Sequence, residues 1–347
     1  MEATGGVSRY TSELTLALAE CYPEDEFWLL SDQAFSRLET RFRNVRYGQG
    51  PQNMLERRWW LWGLQSEIAR CNIDVFHGTD FAVPYVPVGP SILTLHDLSP
   101  WLDPAWHSAA DRVRARTPVL LRLNLATLLL TPSEAIRREA ILRFRLAMDR
   151  IVSVPHAASS LFRPVAVAAP QTPFFLFVGT LEPRKNVGLL IEAWREVRKK
   201  HRVDLVLAGR RRDDFPEPAA EDGLHVLGAV PDERLPELYS ACLACVYPSF
   251  YEGFGLPVLE AMQCGAAVIT SQDPAIAETS GGAAVSLDVR DVKSWIEALT
   301  GAVENPDWVN ELGAKSLQRA RDFSWARTAQ LTREVYDEAV RRFRGKS

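Results

Sequence analysis

Two carboxylates, Glu252 and Glu260, stand eight residues apart around the turn Gly253-Phe254-Gly255-Leu256-Pro257. The apolar run Leu243–Tyr247 precedes this turn. A helical run follows it, stops at Gly265, and gives way to another apolar run, Ala266–Thr270. Gly253 and Gly255 let the backbone approach a ligand closely, and the helix start behind them offers free N–H groups to an anion. Glu260, read as two turns into that helix, points back toward its N-terminus, so both carboxylates can reach one ligand. Amides for a phosphate and acids for neutral hydroxyls suit a nucleotide-sugar better than a free nucleotide. The plain alternative is a strand–turn–helix whose acids are merely solvated.

A second element, Phe177-Val-Gly179-Thr180-Leu-Glu-Pro-Arg184-Lys185-Asn186, reads as strand, loop and helix start with two adjacent cations. Gly5-Gly6 stands just before a helical run. His96 ends the apolar run Ser91–Leu95 and is followed by Asp97, which places it at a strand's carboxyl end. His77 and His156 occupy similar positions and are weaker candidates for the same cleft. Cys242 and Cys245 form a C-x-x-C with no second pair nearby, and no Asp-x-Asp pair follows a strand, so no metal site is expected.

Those residues need a scaffold, and the composition provides for one. The chain has 347 residues, 47% hydrophobic and 24% charged, with a net charge of −4, which describes a globular protein of two ordinary domains. The mild acidity excludes nucleic acid as the main partner. Five scattered cysteines make no disulfide framework, so a cytoplasmic location is expected. No apolar run reaches the length of a membrane span.

The second half alternates strand and helix: strands at Phe174–Val178, Asp204–Ala208, Leu224–Leu227, Leu243–Tyr247 and Ala266–Thr270, helices at Val187–Lys200 and Asp232–Ser240. Such alternation implies a doubly wound parallel sheet with ligands beyond the carboxyl ends of its strands. The first half repeats the pattern less clearly. Its helices are read at Ser8–Glu20, Trp60–Cys71, Ala109–Leu123 and Glu134–Arg145, with strands that include Asp74–Phe76 and Ser91–Leu95. The expected domains are 1–163, a linker 164–173, 174–324, and a final helix 325–347 that could cross back to the first domain. A doubly wound domain begins with a strand before its first glycine turn, and only Met1–Thr4 precede Gly5. The first strand of the first domain is therefore read as missing.

With these residues in order, the chain resembles a family 4 retaining glycosyltransferase of the GT-B fold, which has two facing Rossmann-like domains. The Glu252-x7-Glu260 element is the most specific match and the Gly179 to Asn186 element the next; Gly5-Gly6 and His96-Asp97 match more weakly. The resemblance implies an enzyme in which Arg184 and Lys185 neutralise the donor diphosphate and Glu252 binds hydroxyls of the donor sugar. Gly179, Gly253, Phe254, Gly255 and Leu256 then line the donor, Glu260 holds the ribose hydroxyls, and Val230 meets the base through its backbone. Gly5 and Gly6 leave room for donor phosphate or acceptor, and His96 lies near the reacting sugar. The chain carries Thr180 where many relatives carry an arginine, so Arg184 would have to supply that charge.

The wording around Gly179, His77 and His96 resembles the mannosyltransferase-like branch that acts in polysaccharide assembly. This implies GDP-mannose as donor, no cofactor or metal, and a growing glycan or polyprenyl-linked glycan as acceptor at the inner face of a membrane. Arg57-Arg58-Trp59-Trp60-Leu61-Trp62 combines cations with indoles and is the candidate for a peripheral membrane or acceptor contact; the alternative is a helix start that buries its tryptophans. Two other functions share the architecture: a non-hydrolysing nucleotide-sugar epimerase, and a non-catalytic nucleotide-sugar-binding protein.

Overall fold

The computed structural model describes residues 6–33, 37–38, 40–106 and 110–345. The chain forms two compact units, one of Met1–Leu102, Ser108–His156 and Ser324–Ser347, the other of Asp103–His107 and Ala157–Phe323.

In the first unit, α1 (Gly6–Cys21) precedes β1 (Phe27–Leu29) and β2 (Val45–Tyr47), which pair in parallel as a two-stranded sheet. Helix α2 (Leu64–Arg70), β3 (Phe76–Gly78), β4 (Ser91–Thr94), α3 (Asp111–Arg122), β5 (Leu128–Thr131), α4 (Glu134–Phe144) and β6 (Ile151–Ser153) follow. Strands β3-β4-β5-β6 form a separate parallel sheet in that order. All residues of β4 and β5 are buried, as expected of parallel strands covered on both faces.

Two expectations need correction here. The helix read at Trp60–Cys71 is a π-helical turn, Trp59–Gly63, continued by α2. The strand read at Asp74–Phe76 lies two residues later, because the Phe76 amide donates to the Pro90 carbonyl and sets the register Phe76↔Ser91.

The second unit runs β7 (Phe174–Val178), α5 (Val187–Arg198), β8 (Asp204–Ala208), β9 (Leu224–Gly228), α6 (Leu235–Ala241), β10 (Ala244–Tyr247), α7 (Leu256–Gln263), β11 (Val268–Ser271), α8 (Pro274–Ser280), β12 (Val285–Leu287), α9 (Val292–Glu304) and α10 (Pro306–Ala320). Its six parallel strands stand in the order β12-β11-β10-β7-β8-β9. Sequence order reverses between β7 and β10, so a crevice opens at the carboxyl ends of those two strands. Trp194, Trp295, Phe175 and Phe177 are fully buried in one core around this sheet. Residues 157–163, read from sequence as the end of the first domain, sit with this unit. Phe162 is buried in its core, and Gln263 donates to the carbonyls of Ser159 and Phe162.

The last helix, α11 (Trp325–Arg344), belongs to the first unit. Ser324 caps it by accepting from the Arg327 amide. Thr328, Ala329, Thr332, Val335 and Ala339 form its buried stripe at helical spacing. Ala329 packs with Tyr10 and Leu14 of α1, while Val335 and Ala339 pack with Ile92 and Leu128 of the four-stranded sheet.

Phe175, on β7 between β8 and β10, provides a check on this topology. Phe175→Ala is expected to destabilise the second unit by about 3–5 kcal/mol in urea unfolding. A loss below about 1 kcal/mol would show that β7 is not central.

Candidate functional site

The reversal between β7 and β10 brings two loops to one crevice. After β7 the chain turns through Gly179 and a short 3₁₀ segment, Pro183–Lys185. After β10 it runs through Ser249 and Glu252 to Gly255, the N-cap of α7. Gly255 has φ +86°, and a Cβ there would press on Ile276 at 3.3 Å, so the turn into α7 requires glycine. Gly209, at the end of β8, is needed for a different reason: a Cβ would lie 1.9 Å from the Gly179 carbonyl oxygen.

The two loops meet in a buried charge cluster. Lys185 Nζ lies 2.5 Å from Glu252 Oε1 and donates to Tyr247 Oη at 2.6 Å. Arg184 pairs with Glu252 at 3.2 Å and with Glu182 at 2.9 Å, and donates to the Tyr251 carbonyl at 2.7 Å. Ser249 donates its hydroxyl proton to Glu252 Oε1 at 2.6 Å. Arg184, Lys185 and Glu252 are 8%, 7% and 7% exposed, so these charges exist only because they are paired. Burial alone would raise the Glu252 carboxyl, but the Lys185 ammonium and the Arg184 guanidinium hold it at about 2. Burial and the neighbouring Arg184 push the Lys185 ammonium below its ordinary value, against the pull of Glu252.

Asp273 buttresses the cluster from behind. It caps α8 by accepting from the amides of Ala275 and Ile276, and its other oxygen accepts from the Glu252 amide at 3.2 Å. Burial pushes its carboxyl up to about 6; its amide bonds oppose this and the Glu252 charge adds to it. Arg212 lies 3.6 Å from Glu182 and donates to the carbonyls of Ala105 and Trp106, while Trp106 stacks on Tyr251. Sequence reasoning missed Ser249, Tyr247, Asp273, Glu182 and Arg212. Asp273 alone left a signal, an acid directly before Pro274 that marks a helix start.

Glu260 is the fifth residue of α7, so it stands little more than one turn into the helix rather than two. It is 2% exposed and accepts from the Tyr239 hydroxyl at 3.2 Å. Phe254 is buried, with its ring edge-on to Phe323 and its carbonyl accepting from Thr279. Gly253 is buried beside it, and Leu256 opens α7. Val230, in the loop after β9, leans its half-buried side chain on the core.

The remaining candidates lie in the first unit, each treated in its own surroundings. Gly6 opens α1, with nothing within 4 Å of where a Cβ would stand; Gly5 lies outside the described residues. His96 places Nε2 2.7 Å from the Thr79 carbonyl, which only accepts, so Nε2 carries the proton and Nδ1 is the lone-pair nitrogen. Tyr10 gathers three imidazoles, with ring centroids 6.3 Å from His77, 4.9 Å from His96 and 4.5 Å from His156. Both ring nitrogens of His77 are engaged, with Tyr336 Oη at 2.8 Å and Thr94 Oγ1 at 2.7 Å. His156 stacks on Trp325. Burial lowers all three histidines, His77 to about 3.

Residues 4–159 match the family model described as Glycosyltransferase Family 4, and residues 160–321 match Glycosyl transferases group 1. O-antigen chain mannosyltransferase B of Escherichia coli is 35% identical over 282 residues, covering 76% of this chain and 74% of that protein. Serotype-specific mannosyltransferase WbdA of Escherichia coli is 28% identical over 269 residues, 71% of this chain but only 33% of that protein. Among solved structures, sucrose-phosphate synthase from Thermosynechococcus elongatus superposes with a TM-score of 0.77 at 21% identity, covering 97% of this chain and 94% of that one. The chain therefore belongs to glycosyltransferase family 4 (glycosyl transferases group 1) and has the two-domain α/β architecture of the GT-B fold. It is a glycosyltransferase, which favours transfer over the epimerase and the non-catalytic binder. No described helix is long and apolar enough to cross a membrane.

His156, which is buried, and the half-buried His77 and His96 set a pH dependence. Each is held toward its neutral form in the fold while the unfolded chain protonates below pH ~6.5, so the unfolded state binds more protons and stability falls as pH drops below ~6.5, by up to about 1.4 kcal/mol per histidine per pH unit. Asp273 acts in the opposite sense below pH 6, as one group against three. Glu252, lowered to about 2, acts in the same sense as the histidines but contributes little above pH ~5. The thermal midpoint is expected to fall between pH 7 and pH 5, and to fall less in His77→Asn. Equal slopes in the two proteins would show that His77 is not held neutral.

Proposed function

We propose that the protein transfers mannose from GDP-mannose to a growing glycan, free or carried on a polyprenyl diphosphate, with retention of configuration and without a metal ion. The observation that carries this reading is the buried Arg184–Lys185–Glu252 cluster at the carboxyl ends of β7 and β10. Two cations and one carboxylate share that space, so a diphosphate can take the cations while Glu252 turns to the hydroxyls of the sugar. The mannosyltransferase relatives support the choice of sugar and of a glycan acceptor.

As the bond from the anomeric carbon to the phosphate oxygen breaks, negative charge grows on the departing nucleoside diphosphate. Lys185 and Arg184, fixed before the donor arrives, stabilise that charge more in the transition state than in the ground state. The amides of Phe254 and Gly255 at the start of α7 add partial positive charge to the same phosphate. Glu260 accepts from the ribose hydroxyls and the loop at Val230 meets the base. The acceptor hydroxyl forms its bond to the anomeric carbon on the face the phosphate leaves. Its proton passes to the departing phosphate oxygen, so no side chain is needed as base. The lone pair on His96 Nδ1 accepts from a hydroxyl of the reacting sugar, and the open space at Gly6 leaves room for substrate.

Incubation with a panel of nucleotide-sugars and a mannose-terminated oligosaccharide, with product anomers read by NMR, tests this. The expected result is an α-mannoside formed from GDP-mannose, at the same rate with and without EDTA. A β-product would overturn retention, loss of activity in chelator would overturn metal independence, and faster transfer from another nucleotide-sugar would overturn the donor.

A further inference from the structure

Half of the exposed large hydrophobic side chains among the described residues fall on three short segments of the first unit. The first is the approach to the π-helical turn, where Met54 and Leu55 are 83% and 70% exposed and Trp62, within the turn, is 55% exposed. The second is the loop after Tyr85, with Val86 and Val88 exposed. The third is α3, with Val119 and Leu123 exposed.

Contacts around Trp60 join the three into one surface. The Tyr85 ring stacks on Trp60 and its amide donates to the Trp60 carbonyl, Gln65 donates to the Val86 carbonyl, and the Arg116 guanidinium of α3 lies 5.1 Å from the Trp60 ring centroid. Arg112, Arg116, Val119 and Leu123 share one stripe of that helix by their spacing.

The charge on this surface has one sign, although the chain as a whole is negative. Arg57, Arg58, Arg112 and Arg122 are exposed, and none has an ion-pair partner among the described residues. The nearby acids are neutralised: Glu56 pairs with Arg70 at 3.2 Å, and Asp111 with Arg114 at 2.6 Å. The apolar side chains are held ready without a ligand. Trp59 is buried with Leu64 and Ile68, and Asn53 Oδ1 accepts from the amides of Leu55 and Glu56.

We propose that this surface binds the headgroup layer of an anionic lipid bilayer. Unpaired arginines meet the lipid phosphates, while Trp62, Met54, Leu55 and the flanking valines enter the boundary between headgroups and acyl chains. A protein partner could cover the apolar part, but uniform positive charge around an exposed indole suits a negative, laterally fluid surface. The proposal extends the reading of a lipid-linked acceptor, and it is tested without any acceptor, so either can fail alone.

The experiment is co-sedimentation with vesicles of phosphatidylcholine alone and with about a quarter phosphatidylglycerol. The protein is expected to bind the anionic vesicles and not the neutral ones, and to be released by raised salt. Arg57→Glu/Arg58→Glu should weaken binding by at least about 25-fold, about fivefold for each charge removed. Met54→Ser/Leu55→Ser/Trp62→Ser should weaken it at constant charge, and Arg57→Lys/Arg58→Lys should retain it. All three variants change exposed positions, and unchanged GDP affinity confirms that they fold. Failure to bind anionic vesicles, or binding that these variants leave unaltered, overturns the proposal. A self-association in sedimentation velocity that the triple variant abolishes, without vesicle binding, assigns the face to a second copy of the chain and overturns it as well.

Discussion

A lysine, an arginine and a glutamate with almost no exposure to water can be ionised only if each neutralises another. This constraint organises the second unit. Removing Glu252 would leave the buried Lys185 without a carboxylate and Arg184 with Glu182 alone, at a cost of several kcal/mol. The charges of the cluster are paired before any donor arrives, with further hydrogen bonds to Ser249, Tyr247 and the Tyr251 carbonyl. It is therefore preorganised but occupied. A ligand displaces Glu252 from the cations only if it brings comparable negative charge, which a diphosphate does and a neutral sugar does not. Selectivity for a charged donor then follows from the same ion pairs that hold the two loops together.

The scaffold around this cluster explains why it can be built. Strand order reverses between β7 and β10, so the loops that follow them reach one crevice at the carboxyl ends of the sheet. Asp273 ties the Glu252 backbone to the start of α8, and Arg212 ties Glu182 to the carbonyls of Ala105 and Trp106. The first unit solves a different problem. Its three histidines are kept neutral around Tyr10, and Tyr336 of the last helix holds His77 by a hydrogen bond. That packing fixes the strand end from which His96 projects.

Much of this was legible in the sequence, and the limits have physical causes. Strands β7 and β8 fall where continuous apolar runs placed them, because buried parallel strands admit few polar residues. The Glu252-x7-Glu260 turn identified the loop into α7 through its glycines. Helix α8 left only its Asp273-Pro274 start signal, being seven residues long, and strand β12, three residues and half-exposed for most of its length, gave no usable pattern. The pairing of Lys185 with Glu252 spans 67 residues, and that of His77 with Tyr336 spans 259. No local spacing encodes such contacts. They arise only when the sheet order and the last helix are in place, which is why the sequence showed neither the carboxylate on the cations nor the hydroxyls on His77.

The central claim is that Glu252 and the donor diphosphate compete for Lys185 and Arg184. Calorimetric titration of GDP into the wild-type protein and into Glu252→Gln measures this competition directly. Glutamine keeps the shape and removes the charge, so GDP is expected to bind the variant more tightly, by roughly tenfold for about 1.4 kcal/mol of relieved competition. Equal or weaker GDP binding by the folded variant would contradict the account, since it would mean that Glu252 does not hold the cations against the diphosphate.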